Sequence, residues 1–290
     1  MDRTTLIEPL PEPTPLLDEP PLTKRIPNFG HALIFLLFTG LLLIATQVAL
    51  MAAGKSPVAM KGGTIAIEHP RLQLAAMAAT YFLSLAAAWF FFAAVWHKPF
   101  LEGLRWNWAD ARRQASRLIP LGFLLAAMVS VASHFVATPK QLPIGGFFDS
   151  ALDAWLITVF GTVVAPMFEE IAFRGFLLPA FAIAYDWLSL PRTPEARHRW
   201  QTTTDLSPLA LVFAAVVSSG CFAAIHAEQV LHAWATLAIL FTVSLVLTFV
   251  RVRTQSVAAS TLVHGAYNFF LFGSVIIGTS GFRHLERMTQ

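Results

Sequence analysis

Seven apolar runs constrain this chain more than anything else in it. They lie at about 32–53, 73–96, 118–137, 155–183, 209–227, 231–250 and 256–278. Each is close to the ~20 residues that a helix needs to cross a bilayer. The fold class that follows is all-α, a polytopic transmembrane helical bundle of about seven spans. Segment 151–188 is long enough to hold an eighth element, an interfacial helix or a break. Composition agrees: 56% of residues are hydrophobic and only 13% charged, with a mean hydropathy of +0.62. A soluble domain carries roughly 25% charged residues.

The rest of the chain is organised around these runs. Residues 1–30 are polar and rich in proline and cannot bury enough apolar area to fold alone, so we expect a disordered tail. No basic start followed by an early apolar core marks a signal peptide. The membrane domain then spans 31–280, with no repeat and no second domain, and 281–290 is a short C-terminal tail. Residues 97–117 carry five basic residues beside Trp106 and Trp108, as an interfacial amphipathic segment does. Residues 184–207, with Arg192, Arg197, Arg199, Pro191 and Pro194, read as a solvent-exposed connection. A cytoplasmic N-terminus places thirteen Lys and Arg inside and six outside, with Arg174 intramembrane; the positive-inside rule therefore favours it. The net charge of +3 and pI ≈ 9.3 fit a membrane protein. Basic residues scattered between apolar spans do not make a nucleic-acid site. Cys221, the only cysteine, reads as a small buried hydrophobe.

Chemistry enters with Glu169, Glu170 and Arg174, ionisable groups inside an apolar run, where they are costly and mark function. Glu170 and Arg174 are four apart, share a helix face and can pair. Glu169 is rotated by about 100° from its neighbour and lacks that partner, which makes it the working carboxylate. Pro166, just upstream, removes a backbone hydrogen bond and is expected to kink the helix. Later runs add Phe222 and His226, four apart, and His264 and Asn268, also four apart. His134 has no such companions and reads as a packing residue. Ser218, Ser219 and Gly220 are small residues that let membrane helices approach. A carboxylate, two histidines and an amide can cleave an acyl bond with water. Glu169 would deprotonate the water with His226 sharing or orienting it, while His264 and Asn268 donate to the oxyanion. Glu169, His226 and His264 could instead ligate zinc, although no His-Glu-x-x-His is present. A proton-coupled transporter using the same groups as a relay is a further alternative.

The ordered set Glu169-Glu170-x-x-x-Arg174, Phe222-x-x-x-His226, His264-x-x-x-Asn268 resembles the CPBP family of type II CAAX prenyl proteases and their bacterial relatives. The resemblance runs over roughly 150–275, the motif core. It implies a transmembrane protease domain within 31–280, acting as an intramembrane glutamic endopeptidase. Glu169 and His226 would activate water, and His264 and Asn268 would form the oxyanion hole. Glu170, Arg174 and Phe222 would support them. It implies no metal and no cofactor, with zinc as the runner-up. The partners would be a membrane-associated peptide or protein substrate and the lipid bilayer, with no nucleic acid, and the location a bacterial plasma membrane. The intact motif set argues against a degenerate relative acting only as a chaperone or immunity factor. The polar stretch 184–207 between the first two motifs and the proline-rich tail depart from the family pattern. The drawn boundaries also set Glu169 and His226 near opposite membrane faces. A shared site therefore requires spans four and five to enter the bilayer later, tilt or break.

Overall fold

Each apolar run forms a helix, and polar side chains mark where several of them start. In the computed structural model, which describes residues 25–55, 58–61, 64–67, 69–136 and 143–288, α1 (Phe29–Ala52) starts at Asn28. The Asn28 carboxamide accepts from the His31 backbone N–H while His31 Nδ1 accepts from Asn28 N–H. This reciprocal cap satisfies two otherwise orphaned donors. A short antiparallel hairpin follows, β1 (Val58–Lys61) and β2 (Thr64–Ile67), an addition to the helical architecture. Then come α2 (Pro70–Trp96), the short α3 (Phe100–Gly103) and α4 (Trp108–Arg113), and α5 (Ala115–Ser133).

The fourth span is one long helical stretch in five pieces. α6 (Ala151–Val159) is capped by Ser150; a π-helical turn (Phe160–Val164) leads into α7 (Ala165–Glu170). A second π-turn (Ile171–Leu177) leads into α8 (Leu178–Leu188). After a separate unit at 190–205, which carries α9 (Pro194–Thr202) capped by Thr193, the chain continues. It forms α10 (Pro208–Ile225), α11 (Trp234–Thr254) and α12 (Val257–Gly278), with Ser207 capping α10 and Ser256 capping α12. Among the described residues, seven helices are long and apolar enough to cross a membrane: α1, α2, α5, the 151–188 stretch, α10, α11 and α12. The protein is an integral membrane protein with the seven spans expected. The expected tail lies outside the described residues as far as Lys24.

Two aromatic and aliphatic cores hold the 25–189 and 206–290 unit together. One joins α1, α2 and the second π-turn through Phe35, Phe92, Trp96, Phe100 and Phe176; Phe35 and Phe176 stack with centroids 4.4 Å apart. The other joins α5, α11 and α12 through Leu118, Leu125, Val243, Leu247, Val263 and Tyr267. Here Gly122 allows α5 and α12 to touch: a Cβ on it would stand 2.5 Å from the Val263 carbonyl oxygen. Leu37, Leu41, Ile44 and Val48 on α1 are exposed, as suits a face turned to lipid. Gly220 does not have the role expected of it, because a Cβ there would meet nothing within 4 Å. Ser218 and Ser219 are buried at that level instead. His134 bonds its own helix, Nδ1 to Ser130 O at 2.7 Å. The interfacial segment 97–117 docks on the start of α12, with Val257 N–H donating to Arg105 O and Ser256 Oγ donating to Asn107 O. Phe282, in the expected C-terminal tail, is buried beside Trp155.

Candidate active site

Two prolines shape the element that carries the glutamates. Pro166 and Pro179 each sit at the second residue of an α-helix that follows a π-turn. A proline ring crowds the carbonyl four residues back and offers it no N–H. The turn widens instead: Ala165 N–H reaches Phe160 O, and Leu178 N–H reaches Phe173 O, five residues back in each case. π-turns of this kind recur at functional sites. The expected kink at Pro166 is therefore taken up as a wider turn. Its consequence is chemical, because the Gly161 carbonyl loses its usual α-helical donor. Asn268 Nδ2 of α12 donates to that carbonyl at 2.7 Å. Gly265, one turn earlier on α12, lets the helix close on the Thr162 carbonyl, which a Cβ there would approach to 3.1 Å.

One turn further along span four, Glu170 and Arg174 pair at 3.0 Å, both fully buried. Arg174 also donates to the carbonyl and hydroxyl of Ser244 on α11, at 2.8 and 2.7 Å. Its guanidinium lies over the Phe222 ring, 5.0 Å from the centroid, a favourable cation–π placement. Glu170 Oε1 takes a second bond, from His264 Nδ1 at 3.0 Å. A carboxylate accepts, so Nδ1 carries the proton and the bond fixes the ring's orientation. The other edge, Nε2, faces Glu169 Oε2 at 3.8 Å, too long for a direct hydrogen bond. Glu169 is slightly exposed where Glu170 is not. The two glutamates thus differ in their surroundings: Glu170 is paired and buried, and Glu169 has no bonded partner on its own helix. Glu170 also does something the spacing did not reveal, since it orients the second histidine.

His226 ends α10. Its Nδ1 meets Phe222 O at 2.7 Å; a carbonyl can only accept, so in the neutral ring Nε2 is left as the acceptor. Phe222 lies between the two histidines, 4.7 Å from the ring of His226 and 6.0 Å from that of His264. The opposite-faces difficulty disappears once α8 and α10 are seen to run antiparallel. Tyr185 faces Phe213 and Phe173 faces Phe222, a register that brings Glu169 level with His226. The depth of Glu169 is set by its distance from the α8 end, not from residue 151.

The structure thus brings together Glu169, Glu170, Arg174, His264 and Phe222, with His226 on the far side of Phe222. Asn268 is engaged with Gly161. Among the described residues, no three His, Cys, Asp or Glu side chains gather into a group that could hold a metal ion. Residues 151–270 match the model of the Rce1-like family, described as type II CAAX prenyl endopeptidase. The motif-bearing segment is similar to that family. The matched segment takes in all three motifs and most of the helices that position them, from α6 into α12. No curated protein and no solved structure matches the chain.

Three residues outside the motifs also serve this site. Ser244 anchors Arg174, and Pro179 sets the second π-turn. Tyr81 of α2 stacks on Phe168 with centroids 3.9 Å and planes 3° apart, and on Phe160 at 5.7 Å. Its hydroxyl lies within electrostatic reach of Glu169. The sequence carries a signal for Pro179, a second in-span proline one turn after Arg174. Ser244 and Tyr81 have none, because a serine or tyrosine in an apolar run looks like ordinary packing.

Proposed function

We propose that this protein is an intramembrane endopeptidase in which Glu169 and His226 activate water and His264 and Asn268 hold the oxyanion. The observation that carries the reading is the unequal treatment of the two glutamates. Glu170 is locked between Arg174 and His264, while Glu169 faces His264 Nε2 across 3.8 Å with no direct bond. Glu169 accepts a proton from water, and the hydroxide adds to the scissile carbonyl carbon. The C–N bond of the tetrahedral intermediate then breaks as Glu169 returns the proton to the leaving amine. His226 Nε2 is the acceptor that orients the water. Asn268 has two N–H groups; one is bound to Gly161 O, which aims the amide, and the other serves the oxyanion. His264 has its Nδ1 proton committed to Glu170, so donation from Nε2 requires the imidazolium form.

The substrate we assign is a membrane-associated peptide or protein, on the strength of the family description. The reading uses no metal, because its four residues supply base, water orientation and oxyanion donors. The test is incubation of purified protein in detergent with a peptide library that includes C-terminally prenylated members, with new termini read by mass spectrometry. Wild type should cleave and Glu169→Ala should not, with chelation leaving the wild-type rate unchanged. Equal cleavage by Glu169→Ala, or by neither protein, overturns the assignment. Activity lost on chelation and restored by zinc would make Glu169, His226 and His264 metal ligands instead.

A further inference from the structure

Among the described residues, one buried charge has no partner. Arg251, in the last turns of α11, is 6% exposed, yet its guanidinium makes no hydrogen bond or ion pair and its Nε is buried and unsatisfied. An unpaired buried cation is among the most costly features a protein can hold. Thr248, three residues earlier on the same face, also has a buried hydroxyl without a partner. Its usual acceptor would be the carbonyl one turn back, Ser244 O, and that carbonyl already accepts from Arg174. The charged groups close enough to act on Arg251 are Arg105 and Glu170. Glu170 is already neutralised by Arg174 at 3.0 Å. Arg105 adds a second positive charge, and its guanidinium is held at this end of α11 by a hydrogen bond to Gln255, the residue capping the helix. The neighbouring carboxylates on the interfacial segment are committed elsewhere, Glu102 beside Lys98 and Asp110 beside Arg113.

We propose that Arg251 and Arg105 form an anion site at headgroup level that takes the phosphate of an anionic membrane lipid, with Thr248 as a further donor. The place of the site selects the ligand. Arg251 is one turn from the end of a membrane-spanning helix, and Arg105 precedes Trp106 and the exposed Trp108. Tryptophan and arginine together at the end of a span mark the level where lipid phosphates lie. A guanidinium pair matches phosphate oxygens in charge and geometry. Arg251 stands two turns, about 10 Å, along α11 from Ser244. The same helix that anchors Arg174 therefore carries the lipid site.

The test uses the full chain in a neutral detergent and follows unfolding by the fluorescence of its eight tryptophans. Dioctanoyl phosphatidylglycerol should raise Tm saturably, by roughly 5 °C at a large excess over its Kd. Dioctanoyl phosphatidylcholine and inorganic phosphate should leave Tm where it was. Arg251→Met should melt higher than wild type without lipid, since it removes an unpaired buried charge, and should lose the response to phosphatidylglycerol. Arg105→Gln, at an exposed position, should keep the lipid-free Tm and need about tenfold more lipid for half the shift. The proposal is overturned by an Arg105→Gln response equal to wild type, or by equal shifts from all three additives. An equal shift from inorganic phosphate also overturns it. So does stabilisation by a peptide with a free C-terminal carboxylate but not by its amide, which would give the site to a peptide.

Discussion

Glu169 and Glu170 are neighbours with unlike surroundings, and their substitutions should fail in different ways. Glu169→Gln removes the proposed base, which makes no direct hydrogen bond or ion pair closer than the 3.8 Å approach to His264. We expect a Tm close to wild type and a cleavage rate lower by about a hundred- to ten-thousandfold. Glu170→Gln leaves Arg174 without its counter-charge in a fully buried position, and that should cost about 3–5 kcal/mol. Folded yield and Tm should fall first, and the surviving folded fraction should also turn over slowly because His264 has lost its orienting carboxylate. Fluorescence melting beside single-turnover cleavage separates the two effects; a Glu170→Gln protein with wild-type Tm and no activity would exchange the roles. The motif spacing revealed the Glu170–Arg174 pair, since residues four apart must share a helix face. It could not reveal that His264 completes the pair, because 94 residues of chain separate it from Glu170.

At the level of elements, the spans were legible and their internal breaks were not. Long apolar runs have one stable form in lipid, so α1, α2, α5, α10, α11 and α12 lie within a few residues of where hydropathy puts them. The π-turns are different. A proline in a span announces a disturbed backbone, but whether it kinks or widens the helix depends on what takes the freed carbonyl, and here that is Asn268 on another helix. The hairpin between α1 and α2 was equally hidden, being two four-residue strands. Two predictions follow from α12. Asn268→Ala removes both the proposed oxyanion donor and the partner of Gly161 O. We expect kcat to fall on the order of a hundredfold, with KM little changed, in steady-state cleavage assays. Gly122→Leu forces a side chain into the Val263 carbonyl; it should lower stability by about 1–3 kcal/mol, read as a lower Tm.

For the whole molecule, the helix ends sort themselves into two consistent sets, independent of any charge count. The Arg105–Gln255 bond and the Val257–Arg105 backbone bond put the α2–α5 connection beside the α11–α12 turn. Trp155 against Phe282 puts the start of span four beside the end of α12. Seven crossings give this alternation and an eighth would break it. Which set faces the cytoplasm is an expectation from the Lys and Arg asymmetry. From it we expect the Arg105–Gln255 end inside, with the N-terminus. The check is cysteine labelling in a Cys221→Ser background, because Cys221 is the chain's single thiol. Lys98→Cys reports the α2–α5 connection and Lys55→Cys the turn after α1; both lysines are exposed. A membrane-impermeant maleimide applied to intact cells should modify Lys55→Cys, and should reach Lys98→Cys only after permeabilisation. The reverse pattern would invert the molecule. The residues that build the site would stay as they are, but the lipid phosphate proposed at Arg251 would then belong to the opposite leaflet.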